Sequence, residues 1–197
     1  MAQVQANYPE AQALYEEALC IAREVGDRGV EAWWIGGLGD IATRRGDYTE
    51  AQARYEEALS IAREVGERRF EGYCFRDLGT IASDQGNYTT ARAHLEEALS
   101  IARELGEQNS SLLEACAGLL ARIDRYEDAA QLLAAADDLN TRAHKARDPW
   151  EQARYDATFA TCRSLLDQDT FASASNRGHA LGWASAVDTA LEALGQD

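Results

Sequence analysis

The groups able to do chemistry in this 197-residue chain are few and dispersed. Adjacent carboxylates occur as Glu16-Glu17, Glu56-Glu57 and Glu96-Glu97. Paired carboxylates can divide general-acid and general-base work when their surroundings push their proton affinities apart. These pairs recur with a longer repeat, which assigns them to a solvated helix face instead. His94, His144 and His179 stand singly, and no His, Cys, Asp and Glu set falls at metal-ligand spacing, so no metal or cofactor is expected. Cys20, Cys74, Cys116 and Cys162 lie far apart without a C-x-x-C. In a helical chain of this size they read as small buried or half-buried thiols, not as a disulfide framework. Neither G-x-S-x-G nor a phosphate loop of the form G-x-x-x-x-G-K-S/T is present. The expectation is a protein that is not an enzyme.

The element that must position any site is a segment of about forty residues that returns along the first two thirds of the chain. Asn7-Tyr8-Pro9-Glu10-Ala11-Gln12-Ala13-Leu14-Tyr15-Glu16-Glu17-Ala18-Leu19 reappears from Asp47 to Leu59 and from Asn87 to Leu99. Each copy continues as Ile-Ala-Arg-Glu-Val/Leu-Gly and ends at Gly26, Gly66 or Gly106. In the first copy Ala11, Leu14, Tyr15, Ala18, Leu19, Ala22 and Val25 recur at steps of three and four, which predicts a helix with one buried stripe. Asn7, Asp47 and Asn87 suit its N-cap, and the glycines suit its C-terminus. A second helix is predicted between copies, near 29–44 and 69–84, closed by Gly46 and Gly86. Short loops then force antiparallel helix pairs.

Composition agrees with helices: two prolines, sparse β-branched residues, and abundant Ala, Leu, Glu and Arg. The formal charge of −15 excludes a nucleic-acid surface, which needs clustered Lys and Arg. No apolar run approaches the length of a membrane span, and the first residues lack a basic and then apolar leader, so the cytoplasm is expected.

Leu38-Gly39, Gly46, Tyr48, Ala51, Tyr55 and Ala58, and again Leu78-Gly79, Gly86, Tyr88, Ala91, Leu95 and Ala98, resemble the tetratricopeptide pattern. Small residues stand where helices cross closely and large ones where gaps need filling. The resemblance implies an all-α, right-handed tetratricopeptide-like solenoid of antiparallel helix pairs with a small C-terminal helical cap. Units fall near 7–46, 47–86 and 87–125, with 126–147 as the second helix of a last unit and 148–197 as the cap. In the third unit the first helix is expected near 108–123. The helix that begins at Tyr126 is expected to run on to Lys145, longer than its predecessors. Pro149 suits the first turn of the next helix after the cap residue Asp148. A short helix is expected from Asp169 until Asn176-Arg177-Gly178 breaks it, then a last one from Trp183 to Leu194, with Trp150 and Trp183 in the core of this bundle.

The tail, through Ala129-Ala130-Gln131-Leu132-Leu133, Tyr155, Phe171, Ala174, Arg177-Gly178, Ala180-Leu181 and Ala186-Val187, resembles the C-terminal region of large bacterial ATP-binding transcriptional regulators of the LuxR-type and maltose-regulator-like kind. That resemblance implies a sensor or interaction part of such a regulator, either a fragment or a free-standing remnant.

In tetratricopeptide arrays the first helix of each unit lines the concave face. Carried onto this chain, that geometry names Trp33, Gly36, Gly37, Asp40 and Arg44 in one unit and Tyr73, Arg76, Asp77, Thr80 and Asp84 in the next. Aromatic and Arg residues are good anchors for a protein segment or a small effector. Gly36-Gly37 inside a helix costs about 1 kcal/mol per residue relative to Ala, and would let a ligand or another backbone approach. Tight helix packing, with Trp33 and Tyr73 as half-buried struts, explains the same residues. The first helix has no preceding unit, so Leu14 and Leu19 are candidates for self-association as a homodimer. No direct nucleic-acid or membrane contact is expected.

Overall fold

Good helix formers punctuated by capping residues and glycines fold the chain into helices throughout residues 8–195, the span that the computed structural model describes. They are α1 (Tyr8–Val25), α2 (Arg28–Arg45), α3 (Tyr48–Val65), α4 (Arg68–Asp84), α5 (Tyr88–Leu105), α6 (Ser110–Arg122), α7 (Tyr126–Arg142), α8 (Pro149–Leu165), α9 (Gln168–His179) and α10 (Trp183–Gly195). No strand occurs among the described residues, and no helix there is long and apolar enough to cross a membrane.

The ends of the helices follow local chemistry. The carboxylates of Asp27 and Asp47 accept the backbone N–H of Val30 at 3.0 Å and of Glu50 at 3.2 Å. Asp148 accepts from Trp150 and Glu151, while Glu151 returns a bond to the Asp148 N–H, so α8 starts on a reciprocal capping box with Pro149 in its first turn. Asn87 makes no side-chain cap bond, and Asn7 lies outside the described residues. Gly26, Gly46, Gly66, Gly86 and Gly106 all adopt left-handed φ between 63° and 80° at the turns, where a side chain would be strained.

Consecutive helices pack in pairs, α2 on α3, α4 on α5 and α6 on α7, and the pairs stack into a tetratricopeptide-like solenoid. The crossings are close because one partner is small. A Cβ on Gly39 would meet the Tyr55 ring at 3.0 Å, and one on Gly79 would meet Leu95 Cγ at 2.8 Å. Ala51, Ala58, Ala91 and Ala98 are buried at the same seams. Ion pairs repeat with the helices. Buried Glu31 takes Arg23 and Arg28, and Arg28 also reaches Glu64. Forty residues on, buried Glu71 takes Arg63 and Arg68, and Arg68 reaches Glu104. The glutamate pairs of the repeat are largely exposed, in keeping with a solvated face.

The third unit breaks that lattice. Ser111 stands where Glu31 and Glu71 stood, and Arg103 turns instead to Asp188 of α10 at 3.6 Å. The last helix thus folds back against α5, α6 and α7, burying Ala186, Val187, Ala190, Ala193 and Leu194. The helix α9 packs on α7 so closely that a Cβ on Gly178 would lie 2.1 Å from the carbonyl oxygen of Gln131.

Asn176-Arg177-Gly178 lies in the last turn of α9, which ends at His179, and there the missing side chain of Gly178 also serves the crossing with α7. Several expectations are corrected. The helix from Tyr126 stops at Arg142 and is no longer than α5, because Ala143 and His144 turn the chain, the latter at a φ of 51°. Leu19 is buried in the common core and offers nothing to a second copy, whereas Leu14 is exposed. Trp183 packs on the core, but Trp150 lies in the hollow of the stack, between the guanidiniums of Arg44 and Arg154. Cys74, Cys116 and Cys162 are buried thiols, and Cys20 is exposed.

Candidate functional site

Helices α2 and α4 turn one face each toward the hollow, and steps of three and four residues put the recognition candidates on those faces. The two rows meet different neighbours at their two ends.

At one end the rows open onto a cavity of about 410 Å³. Trp33, Gly36, Gly37 and Asp40 line it from α2, and Tyr73, Arg76 and Asp77 from α4. Tyr15 from α1 and Phe70, Trp34 and Tyr55 complete the walls. Rings dominate. Trp33 stacks on buried Phe70 with centroids 4.3 Å apart and meets the edge of Tyr73 at 5.9 Å. Tyr15 and Trp34 lie tilted at 5.2 Å. The glycines explain this density. A Cβ on Gly36 would sit 2.7 Å from Phe70 Cζ, and one on Gly37 would sit 2.6 Å from Tyr15 Cε2. The two glycines are where α2 admits an aromatic ring from each side.

The floor of the cavity is polar. The hydroxyl of Tyr55 donates to Asp40 Oδ1 at 2.5 Å. Arg76 forms a two-pronged pair with Asp77, both bonds at 2.8 Å, and its guanidinium lies 5.4 Å from the centre of the Tyr73 ring. Asp40 reaches solvent through the mouth but is ringed by protein on its other sides. That surrounding mass, and next the charge of Asp77, push its pKa up to about 6. Burial likewise raises the Cys74 thiol and the Tyr73 hydroxyl, the latter also donating to Glu107 at 2.8 Å.

At the other end the chain fills the hollow itself. The start of α8 crosses the ends of α2 and α4. Arg44 donates to Asp148 at 2.5 Å and lies over Trp150. Asp84 accepts from Arg154 at 2.7 and 3.2 Å and from Arg122 at 2.5 Å. Burial opposes ionisation of Asp84, but Arg154 and then Arg122 outweigh it and hold the carboxyl below its ordinary range. Thr80 faces a small recess bounded by Trp150, Glu151, Arg154 and Tyr155. Arg44, Thr80 and Asp84, expected on a free concave face, therefore face the chain's own α8, and Arg44 and Asp84 are bonded to it.

Trp33, Gly36, Gly37, Asp40, Tyr73, Arg76 and Asp77 come together around the open cavity. Sequence reasoning missed Tyr15, Trp34 and Phe70. The glycine pair was the available signal, since two adjacent gaps on one helix invite a bulky neighbour on each side.

Residues 1–64 and residues 73–106 each match the tetratricopeptide repeat. Over these residues the chain carries tetratricopeptide repeats. No curated protein matches it. Tetratricopeptide repeats support a protein-interaction module with protein partners, and the family is typically a non-catalytic scaffold.

Proposed function

We propose that this tetratricopeptide-repeat chain is a non-enzymatic binding module that receives a protein segment at the open end of its hollow. The observation that carries this reading is the ring-lined cavity between α1, α2 and α4, with an exposed Trp33 at its mouth. A large aromatic left accessible beside a polar floor is the usual make-up of an interface anchor. The resemblance of the tail to ATP-binding transcriptional regulators supports a finer reading, in which the module is the cytoplasmic sensor or interaction part of a bacterial regulator.

A library of random twelve-residue peptides displayed on phage tests the cavity. Selected clones should lose binding to Trp33→Ala and keep it to Leu14→Ser. Clones that bind both variants alike would place recognition elsewhere.

One observation favours a second reading, self-association. Leu14, Ile21 and Val25 are exposed and share one face of α1. Sedimentation velocity over a concentration series decides: dimers that Ile21→Ser abolishes would support it, and a monomer at high concentration would remove it.

A further inference from the structure

The aspartates of the hollow are paired with guanidiniums one by one, Asp40 excepted. Asp148 has Arg44, Asp84 has Arg122 and Arg154, and Asp77 has Arg76. Among the described residues, no cation lies within ion-pair distance of Asp40, whose hydrogen-bond partner is the Tyr55 hydroxyl. That donor occupies one oxygen of the carboxylate, and the residue lines the cavity. The floor therefore carries the charge of two carboxylates against one guanidinium, and the walls above it are aromatic faces.

The sealed end of the same hollow shows what such a setting accepts. There the guanidinium of Arg44 lies 5.3 Å from the centre of the Trp150 ring and bonds a carboxylate. Arg154 lies 4.9 Å from the same ring and bonds another carboxylate, Asp84. A cation over an aromatic face, backed by an anion, gains from the ring quadrupole and from the charge together. At the open end Arg76 takes that place over Tyr73 beside Asp77, but among the described residues Asp40, below the rings of Trp33 and Tyr15, has no such cation.

We infer that the open cavity is built for a basic side chain, a lysine or arginine of the partner segment, with Asp40 as its counter-ion and Trp33, Tyr15 and Tyr73 as its walls. The inference rests on the reading of the hollow as a protein-binding site and adds the chemistry of the anchor. The cavity has the volume for one long side chain and its first neighbours. The formal charge of −15 steers a basic partner toward the chain, and local complementarity at Asp40 then fixes where its side chain goes. An acidic anchor would face Asp40 and Asp77 with Arg76 already taken.

The test uses the full chain and blocked pentapeptides Ala-Leu-X-Leu-Ala, with X as Arg, Lys, Gln or Glu, together with free ethylguanidinium. Binding is followed by tryptophan fluorescence and by the indole N–H shift of Trp33. The Arg and Lys peptides should bind at least about tenfold tighter than the Gln peptide, and raised ionic strength should narrow that gap. Asp40→Asn should bring the Arg peptide down to the Gln level without lowering the melting temperature. Gln or Glu peptides binding as well as Arg would overturn the basic anchor and leave the peptide site standing. An Asp40→Asn variant that binds the Arg peptide unchanged would overturn the counter-ion. Ethylguanidinium binding as tightly as the Arg peptide would make this a small-cation site and overturn the partner segment. If no peptide binds, the hollow is not a peptide site and both readings fall together.

Discussion

The two ends of the hollow start from the same rows of residues and finish differently. At the sealed end Arg44 and Asp84 meet α8, and each charge finds an opposite charge within the chain. At the open end Trp33, Asp40 and Tyr73 belong to the same helices α2 and α4, yet they line a cavity that α8 does not enter. Position on the concave face is thus not enough to make a residue available. What decides is where the tail returns, and the capping box at Asp148 sets the start of α8 over only one end.

The sharpest break between the two regions is Gly178→Ala against Gly37→Ala. A Cβ at 178 would lie 2.1 Å from a backbone oxygen and 2.7 Å from Ala134 Cβ, and neither can turn away. The helices α7 and α9 must separate, at a cost of about 3 kcal/mol. A Cβ at 37 meets only the ring of half-buried Tyr15, which can rotate toward solvent, and gains about 1 kcal/mol of helix propensity. Urea denaturation should show a large loss for Gly178→Ala and little change for Gly37→Ala. Equal losses would mean that the open end is packed as rigidly as the tail.

Next in size is Asp84→Ala. The carboxylate is almost wholly buried and holds two guanidiniums, so its removal leaves Arg154 and Arg122 without their partner at a cost of about 2 kcal/mol. Because the folded chain depresses this carboxyl, its contribution is complete above its ordinary value near pH 4. It is lost as the pH falls through the lower, folded value. The stability difference between wild type and Asp84→Ala should therefore shrink in acid. A difference that stays constant below pH 4 would assign it to packing instead of to the ion pairs.

The regular half of the molecule was legible because each of its signals repeats. Gly46 and Gly86 close α2 and α4, Tyr55 and Leu95 fill the space opposite Gly39 and Gly79, and one copy explains the next. The tail offered no second copy to compare. Arg177-Gly178 read as a break, since a glycine with flanking polar residues ends many helices, and only the closeness of α7 shows that it also serves a crossing. The cavity was half legible. Spacing put Trp33 with Asp40 and Tyr73 with Asp77, but Tyr15 and Phe70 arrive from other faces of the stack, and the reach of α8 over Arg44 depends on a contact 104 residues away. Side chains brought together by chain return leave no local period to read.

The smallest effect separates the two ends by sign. Removing a carboxylate at the sealed end destabilises, whereas Asp40→Asn should stabilise. Burial and next the charge of Asp77 disfavour ionised Asp40, with the Tyr55 hydrogen bond, then Arg76 and Arg44, offsetting only part of this, and the Tyr55 hydroxyl can still donate to an asparagine oxygen. With its folded pKa near 6 against an ordinary value of 3.8, Asp40 holds its proton more tightly in the folded chain. Stability contributed by that proton falls as the pH rises from about 4 to 6, and the penalty is complete above 6. Solvent at the cavity mouth screens the charge, so the gain from Asp40→Asn at neutral pH is less than about 1 kcal/mol, and it vanishes below pH 4. Melting temperatures of the two proteins across that range measure it. A variant less stable than wild type at neutral pH would mean that Asp40 already has its cation, and the contrast between the open and the sealed end would be lost.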